Sequence, residues 1–286
     1  MGKQEKAISE KEHAILEAIY TMYRYVTVEH ITRLFFSQTS KNYAGAYLKR
    51  LADAHLLERF ALPATKRGNP QLVYTVSWNG FTYLRSLDLT PYGFVRPPTQ
   101  PSYFHIAHSL CLTEVLVTAS LLSREEPRVV LYSAKPDWLL KHLAPTIQDG
   151  SKSVSVVPDA LLEFRAEIGG KKRKRTIIIE IDRGTEPVGH FKQKIRHFVL
   201  ALNTPSYTTL FGTSNVVVAF ATTAGGKRVS QMRFWITQEL TALQRIEDAS
   251  VFLCTALPPG EVSLAVFLEA VWSVPDSDEL ITLLPL

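Results

Sequence analysis

The chain has 286 residues, of which 46% are hydrophobic and 21% charged, and it carries a formal net charge of +5. That balance belongs to a globular protein rather than a disordered one, and the length suggests two domains. Two cysteines, Cys111 and Cys254, both lie in apolar runs, so buried free thiols are expected and nothing points to a disulfide framework or a zinc site. The first residues lack the apolar core of a secretion signal, and no uninterrupted apolar run approaches the roughly 18 residues of a membrane span. A cytoplasmic protein with no membrane partner is the expectation. The excess positive charge sits in residues 1–100, with 13 Lys and Arg against 8 Asp and Glu; the remainder balances at 19 and 19. A locally basic region is the footprint of a polyanion binder.

Helical periodicity begins at Ser9, an N-cap with Glu12 completing a capping box, and continues through Ile15, Leu16, Ile19, Met22 and Tyr23. Thr27 caps a second helix over residues 28–36. A polar break at 37–40 leads into a third, KNYAGAYLKRLADAHLLER. Two strand-like segments follow, 58–62 and 71–76, joined by a Pro- and Gly-containing turn with Lys66 and Arg67 at its tip, and then a short helix from Trp78. Three helices and a basic hairpin are the plan of a winged helix-turn-helix, whose third helix enters the major groove while the wing touches a neighbouring phosphate or the minor groove. Ser40, Lys41, Asn42 and Tyr43 at the start of that helix, Tyr47 and Arg50 further along it, and Lys66 and Arg67 on the wing are the expected contacts to double-stranded DNA. Winged helices often dimerise to read palindromes, which leaves a homodimer open, although no coiled-coil heptad supports one here.

The stretch DLTPYGFVRPPTQPS carries four prolines and reads as an extended linker. The expected organisation is a winged-helix domain over 1–90, a linker over 91–102, and a second domain over 103–286. In that second part a long apolar helix (104–122) precedes a strand (129–134), the runs VVPDALLEF and TIIIEID, a helix (190–202), a buried strand (216–223), a further helix and a last strand, VFLCTAL. The opening order αβββαβ is that of the restriction-endonuclease-like core, so the fold class expected overall is α+β.

Asp159 and Glu180 arrive on two strand-like runs, with KKRKR (171–175) expected as the turn between them. If the runs pair, the carboxylates meet at one sheet edge, where two hard oxygen ligands suit Mg²⁺ beside a phosphodiester. The arrangement resembles the metal site of PD-(D/E)xK nucleases. That resemblance implies Asp159 as the motif aspartate, Glu180 as the (D/E), and Glu114 on the preceding helix as a further ligand. It fails at position 182, where the lysine is replaced by Asp182. In some relatives a basic residue of the following helix takes that role. Lys192 and Lys194 are available, and Lys194 is preferred because it adjoins the face marked by Phe191, Ile195 and Phe198. Catalytic residues on this reading are Asp159, Glu180 and Lys194, the metal ligands Glu114, Asp159 and Glu180, and the cofactor Mg²⁺; without catalysis there is none.

The sequence from Glu180 to Glu186, EIDRGTE, behind a winged helix and a proline-rich linker, resembles the replication-relaxation proteins of plasmids and other mobile elements over roughly residues 10–240. The resemblance implies a DNA-binding protein of mobile-element replication or maintenance. The reading preferred on sequence keeps the nuclease-like domain non-catalytic, with Asp182 and Glu186 paired to Arg183, Lys192 or Arg196. A Mg-dependent endonuclease or nickase is the alternative, and an adaptor or oligomerisation protein without DNA is a third. Lesser features are the KKRKR run, which could contact a DNA backbone, the pair His105 and His108, expected as core or surface histidines, and Gly225-Gly226-Lys227, which lacks the upstream glycine of a P-loop.

Overall fold

A computed structural model describes residues 8–63, 70–90, 101–143, 146–168, 170–202, 204–205 and 216–286. The architecture is mixed α+β, as expected, and divides into two compact units, Met1–Val117 and Thr118–Leu286. The division falls inside a helix, beyond the linker expected at 91–102, of which residues 91–100 lie outside those described.

In the first unit, α1 (Glu10–Ala18) starts on the capping box: Ser9 Oγ accepts the Glu12 N–H, and the Glu12 carboxylate takes the Ser9 N–H at 2.9 Å. A π turn, Ile19–Tyr23, extends it until Arg24, whose φ of 62° ends the helical path. Thr27 caps α2 (Val28–Phe35), and α3 spans Lys41–Asp53. The third helix stops earlier than its sequence pattern suggests because His55 adopts a left-handed φ of 57°, which turns the chain into β1 (Leu57–Leu62). β1 pairs antiparallel with β2 (Gln71–Val76), and α4 (Trp78–Ser86) follows. The tip of this hairpin, with Lys66 and Arg67, lies outside the described residues. Ile15, Leu16, Ile31, Leu48 and Leu84 are buried at 1% exposure or less and hold the helices together.

α5 (Tyr103–Glu125) is long and apolar enough to cross a membrane by length and composition. Leu112, Val115, Leu116, Val117, Ala119 and Leu122 on it are buried. Within the first unit, the Thr113 hydroxyl lies 3.0 and 2.9 Å from the Tyr23 and Tyr25 carbonyls. Cys111 is only half-buried, unlike Cys254.

The second unit is built on a seven-stranded sheet. Its strands are β3 (Val129–Pro136), β6 (Ala160–Ile168), β7 (Lys171–Asp182), β8 (Val216–Thr222), β9 (Phe252–Ala256), β10 (Trp272–Ser273) and β11 (Leu280–Ile281), in spatial order β11-β10-β9-β8-β7-β6-β3. A short helix α6 (Asp137–Leu140) and a separate hairpin of β4 (Thr146–Asp149) with β5 (Lys152–Ser155) interrupt the chain between β3 and β6, an insertion the sequence pattern did not signal. β3, β6 and β7 run antiparallel, whereas β7, β8 and β9 are parallel. Crossovers through α7 (Val188–Leu202) and α8 (Gly226–Ala242) make the parallel pairing feasible, and they explain why every residue of β8 is buried. Phe191, Ile195 and Phe198 of α7 and Met232, Ile236 and Leu240 of α8 pack on Ile178, Val218, Phe220, Phe252 and Cys254 of the sheet. After α9 (Ala265–Leu268), the apolar tail joins the fold: Trp272, Leu283 and Leu284 are all buried at 1% or less.

Two expectations are corrected here. KKRKR is not the turn between β6 and β7 but the first half of β7, paired with Phe164–Ile168. Asp159 lies one residue ahead of β6 rather than within it.

Candidate active site

The period of two along β7 puts Ile178, Glu180 and Asp182 on one face and Ile177, Ile179 and Ile181 on the other. The first of these faces is the one under α7 and α8, since Ile178 belongs to their shared core. Glu180 and Asp182 are therefore carried into the interior, at 3% and 4% exposure. Buried carboxylates need partners, and each finds a different one.

Ala160 pairs with Ile179, which brings Asp159 alongside Glu180. The Asp159 carboxylate accepts the Ile181 N–H at 2.7 Å, and the Asp159 N–H lies 3.4 Å from Glu180 Oε1. Lys194 Nζ stands 2.9 Å from Glu180 Oε2 and 3.3 Å from Glu186 Oε2. Lys194 flanks the buried face of α7, and its ammonium meets the carboxylates. Lys192, the other candidate, instead donates to Gln238 at 2.9 Å. Burial pushes the Glu180 carboxyl up, to about 7, with Lys194 opposing and the charge of Asp159 adding to the rise. Burial alone would lower Lys194, but Glu180, Glu186 and Asp159 together hold its ammonium well above the ordinary value.

Asp182 belongs to a separate network. Arg228 Nε and Nη2 grip its two oxygens at 2.9 and 2.8 Å in a fork, while the Thr222 hydroxyl and the Gly184 N–H donate to Oδ2 at 2.7 and 3.0 Å. Burial works to raise the Asp182 carboxyl, and the bonds from Arg228 and Thr222 outweigh it and hold it below the usual range. The partner expected among Arg183, Lys192 and Arg196 is thus Arg228, and Arg196 is bound to Glu239 at 2.8 Å. Gly184 is required at its position: its φ is 75°, and a Cβ there would stand 2.6 Å from the Ala224 Cβ.

Glu114, expected as a metal ligand, has other partners in the first unit. Its Oε1 lies 2.7 Å from His30 Nε2 and its Oε2 2.7 Å from Arg33 Nη1. Because His30 Nδ1 accepts the Thr27 N–H at 3.2 Å, the hydrogen sits on Nε2 and points at Glu114. Burial would raise the Glu114 carboxyl, but the bonds from His30 and Arg33 bring it below its ordinary value. Among the described residues, no group of three or more His, Cys, Asp or Glu side chains is placed to hold a metal. Asp159 and Glu180 alone offer two hard oxygen ligands, a donor set that fits Mg²⁺, which binds through one or two carboxylates and keeps its remaining positions for water and phosphate.

The candidates on α3 divide. Asn42 and Tyr43 are exposed at its start, Tyr43 at 68%. Lys41 pairs with Glu29 across from α2, and Ser40 bonds Ser37. Arg50 Nε meets Glu12 at 2.8 Å, bracing the capping box of α1, and the Arg50 guanidinium stacks 4.2 Å over the Tyr47 ring. These bonds give Arg50 and Tyr47 a structural task in the packing of α3.

A family described as Replication-relaxation matches residues 16–205. The chain belongs to the replication-relaxation family. The match runs from α1 through α7, so it includes Asp159, Glu180 and Lys194, and it ends ahead of Thr222 and Arg228. No curated protein and no solved structure matches the chain. Membership associates the chain with replication or relaxation. Two members of the site's network were not singled out from the sequence, Arg228 and Thr222. The available signal was that Asp182, in an apolar strand, required a cation from somewhere.

Proposed function

We propose that this replication-relaxation protein docks duplex DNA of a mobile element through a winged helix in its first unit and nicks one strand with a restriction-endonuclease-like site in its second. The observation that carries the reading is the meeting of Asp159, Glu180 and Lys194: two carboxylates and a cation at one end of a paired pair of strands. The aspartate at 182 does not argue against it, because Arg228 already neutralises that carboxylate. Lys194 stands in for the lysine of the strand motif, reaching the site from α7.

Mg²⁺ held by Asp159 and Glu180 would supply Lewis-acid stabilisation of a phosphoryl oxygen. The chain's own residues orient and stabilise. The Ile181 N–H fixes the Asp159 carboxylate, and Lys194, once a phosphate lies beside it, offers an ammonium to the negative charge that develops as water attacks phosphorus. In that step the new P–O bond forms as the bridging ester bond breaks, and the proton lost by the attacking water is balanced by the one the departing oxygen takes up from solvent. Asn42 and Tyr43, exposed at the start of α3, and Lys66 and Arg67, between β1 and β2 in the sequence, are the proposed duplex contacts.

The test is Mg²⁺- and Mn²⁺-dependent conversion of supercoiled plasmid to open circles. We expect nicking by the native chain, none by Asp159→Ala/Glu180→Ala, and a loss of about 10²–10³-fold in Lys194→Met, the scale of removing one preorganised charge donor. Retardation of DNA without nicking by the native chain would overturn cleavage. It would leave a second reading, which one observation favours: Lys194 already pairs with Glu180, as it would in a retired, non-catalytic scaffold.

A further inference from the structure

The first half of β7 is the most concentrated charge in the protein. Between Ala160 and Arg175 there are six Lys and Arg against two Glu, a net of +4, in a part of the chain (101–286) whose total is zero. Lys171, Lys172, Arg173 and Lys174 are exposed, and Arg175 is half-buried with its Nε 3.3 Å from the Leu283 carbonyl. These residues pair with Phe164–Ile168 of β6 as a ribbon, and β8 joins β7 from Thr176 onward.

The ribbon carries cations on both faces. Lys171 and Arg173 point one way. Lys172 and Lys174 point the other, together with Arg165, which stands directly opposite Lys174 and lies 3.6 Å over the exposed Tyr132 ring. Like charges directly opposite one another weaken a strand pair, and lysine is a poor strand former. Glu163, which pairs with Lys174 at 2.9 Å, and Glu167, opposite Lys172, offset only part of this. A lysine or two would be enough to guard an exposed edge against mispairing. A run of five consecutive cations exceeds that need, and a polyanion would relieve their repulsion.

We infer that the β6–β7 ribbon is a second DNA contact, which grips the phosphate backbone of the duplex independently of the first unit; this rests on the reading that the chain binds duplex DNA. Arg173 precedes Glu180 by seven residues, about 23 Å at the strand rise of ~3.3 Å per residue. A duplex following the strand from the carboxylates would reach the ribbon about seven base pairs away, at ~3.4 Å per pair.

The experiment measures duplex affinity of the full chain across a range of KCl concentrations. The variant is Lys171→Gln/Lys172→Gln/Arg173→Gln, which leaves the Lys174–Glu163 pair in place. A parallel variant, Asn42→Ala/Tyr43→Ala, tests the first unit. We expect the ribbon variant to melt like the native chain, to bind more weakly, and to show a slope of log Kd against log salt shallower by about 2–3, since each phosphate contact contributes about 0.9. Unchanged affinity and slope in the folded ribbon variant would overturn the inference while leaving the first-unit contact standing. Failure of the native chain itself to retard duplex DNA would remove the underlying reading and the ribbon with it.

Discussion

Asp182 shows how one residue's role is set by what reaches it. The sequence placed an acid where a cleavage site wants a base, and the structure answers with Arg228, whose fork satisfies both carboxylate oxygens in the interior. Such pairs are asymmetric. Removing one partner leaves a buried uncompensated charge, whereas removing both leaves apolar contacts that partly make up the loss. Arg228→Met is therefore expected to lower unfolding free energy by about 3–5 kcal/mol. The double variant Arg228→Met/Asp182→Leu should lose less than that single one. Urea denaturation of both decides the point, and a double variant worse than Arg228→Met would show that the ion pair itself holds the site together. Asp159 and Glu180 were legible in the sequence because strand alternation and a short separation fix their neighbourhood. Lys194 was legible because Phe191, Ile195 and Phe198 mark the buried face of its helix. Arg228 was not, since nothing local in a helix 46 residues away reveals which acid it will meet.

Among the elements, α2 is held to α5 through the carboxylate of Glu114, bonded by His30 and Arg33. Its folded-state carboxyl lies below the unfolded value, so the stability it contributes is present above the unfolded pKa of about 4.3 and is lost as pH falls through the lower, folded one. Thermal melting of the native chain should accordingly weaken on acidification below about pH 4.5, and the Glu114→Gln variant should show a smaller drop over the same window. Equal acid sensitivity in both would assign the drop to other carboxylates. Elements were read from the sequence with uneven success. The capping box at Ser9 and the cap at Thr27 declare their helices, and the all-apolar run of β8 declares a central strand. KKRKR misled because a row of five cations has the composition of a turn, whereas its conformation is decided by the partner strand, Phe164–Ile168. The β4–β5 hairpin escaped because its strands are four residues each and mostly exposed, leaving little apolar pattern to read.

At the scale of the whole molecule, net charge was a poor guide. A total of +5 conceals a ribbon of +4 within residues 101–286, which sum to zero, and only strand pairing shows that those cations share one element. The order of the sheet has a kinetic consequence. β6 and β7 are neighbours in sequence and close by a tight turn at Gly170, whereas β7 and β8 must wait for a crossover through α7. Local pairs form before remote ones because loop closure costs entropy that remote contacts recover only late. In refolding experiments, Arg228→Met should leave the folding rate nearly unchanged and speed unfolding, a φ-value near zero, while truncation of Leu162 in the β6–β7 pair should slow folding. A high φ-value at Arg228 would contradict this order. On that order the carboxylates at 159 and 180 would come together early, in a nascent hairpin, and the arginine that seals the neighbouring acid would arrive last, as the final latch on a sheet assembled outward from its antiparallel half.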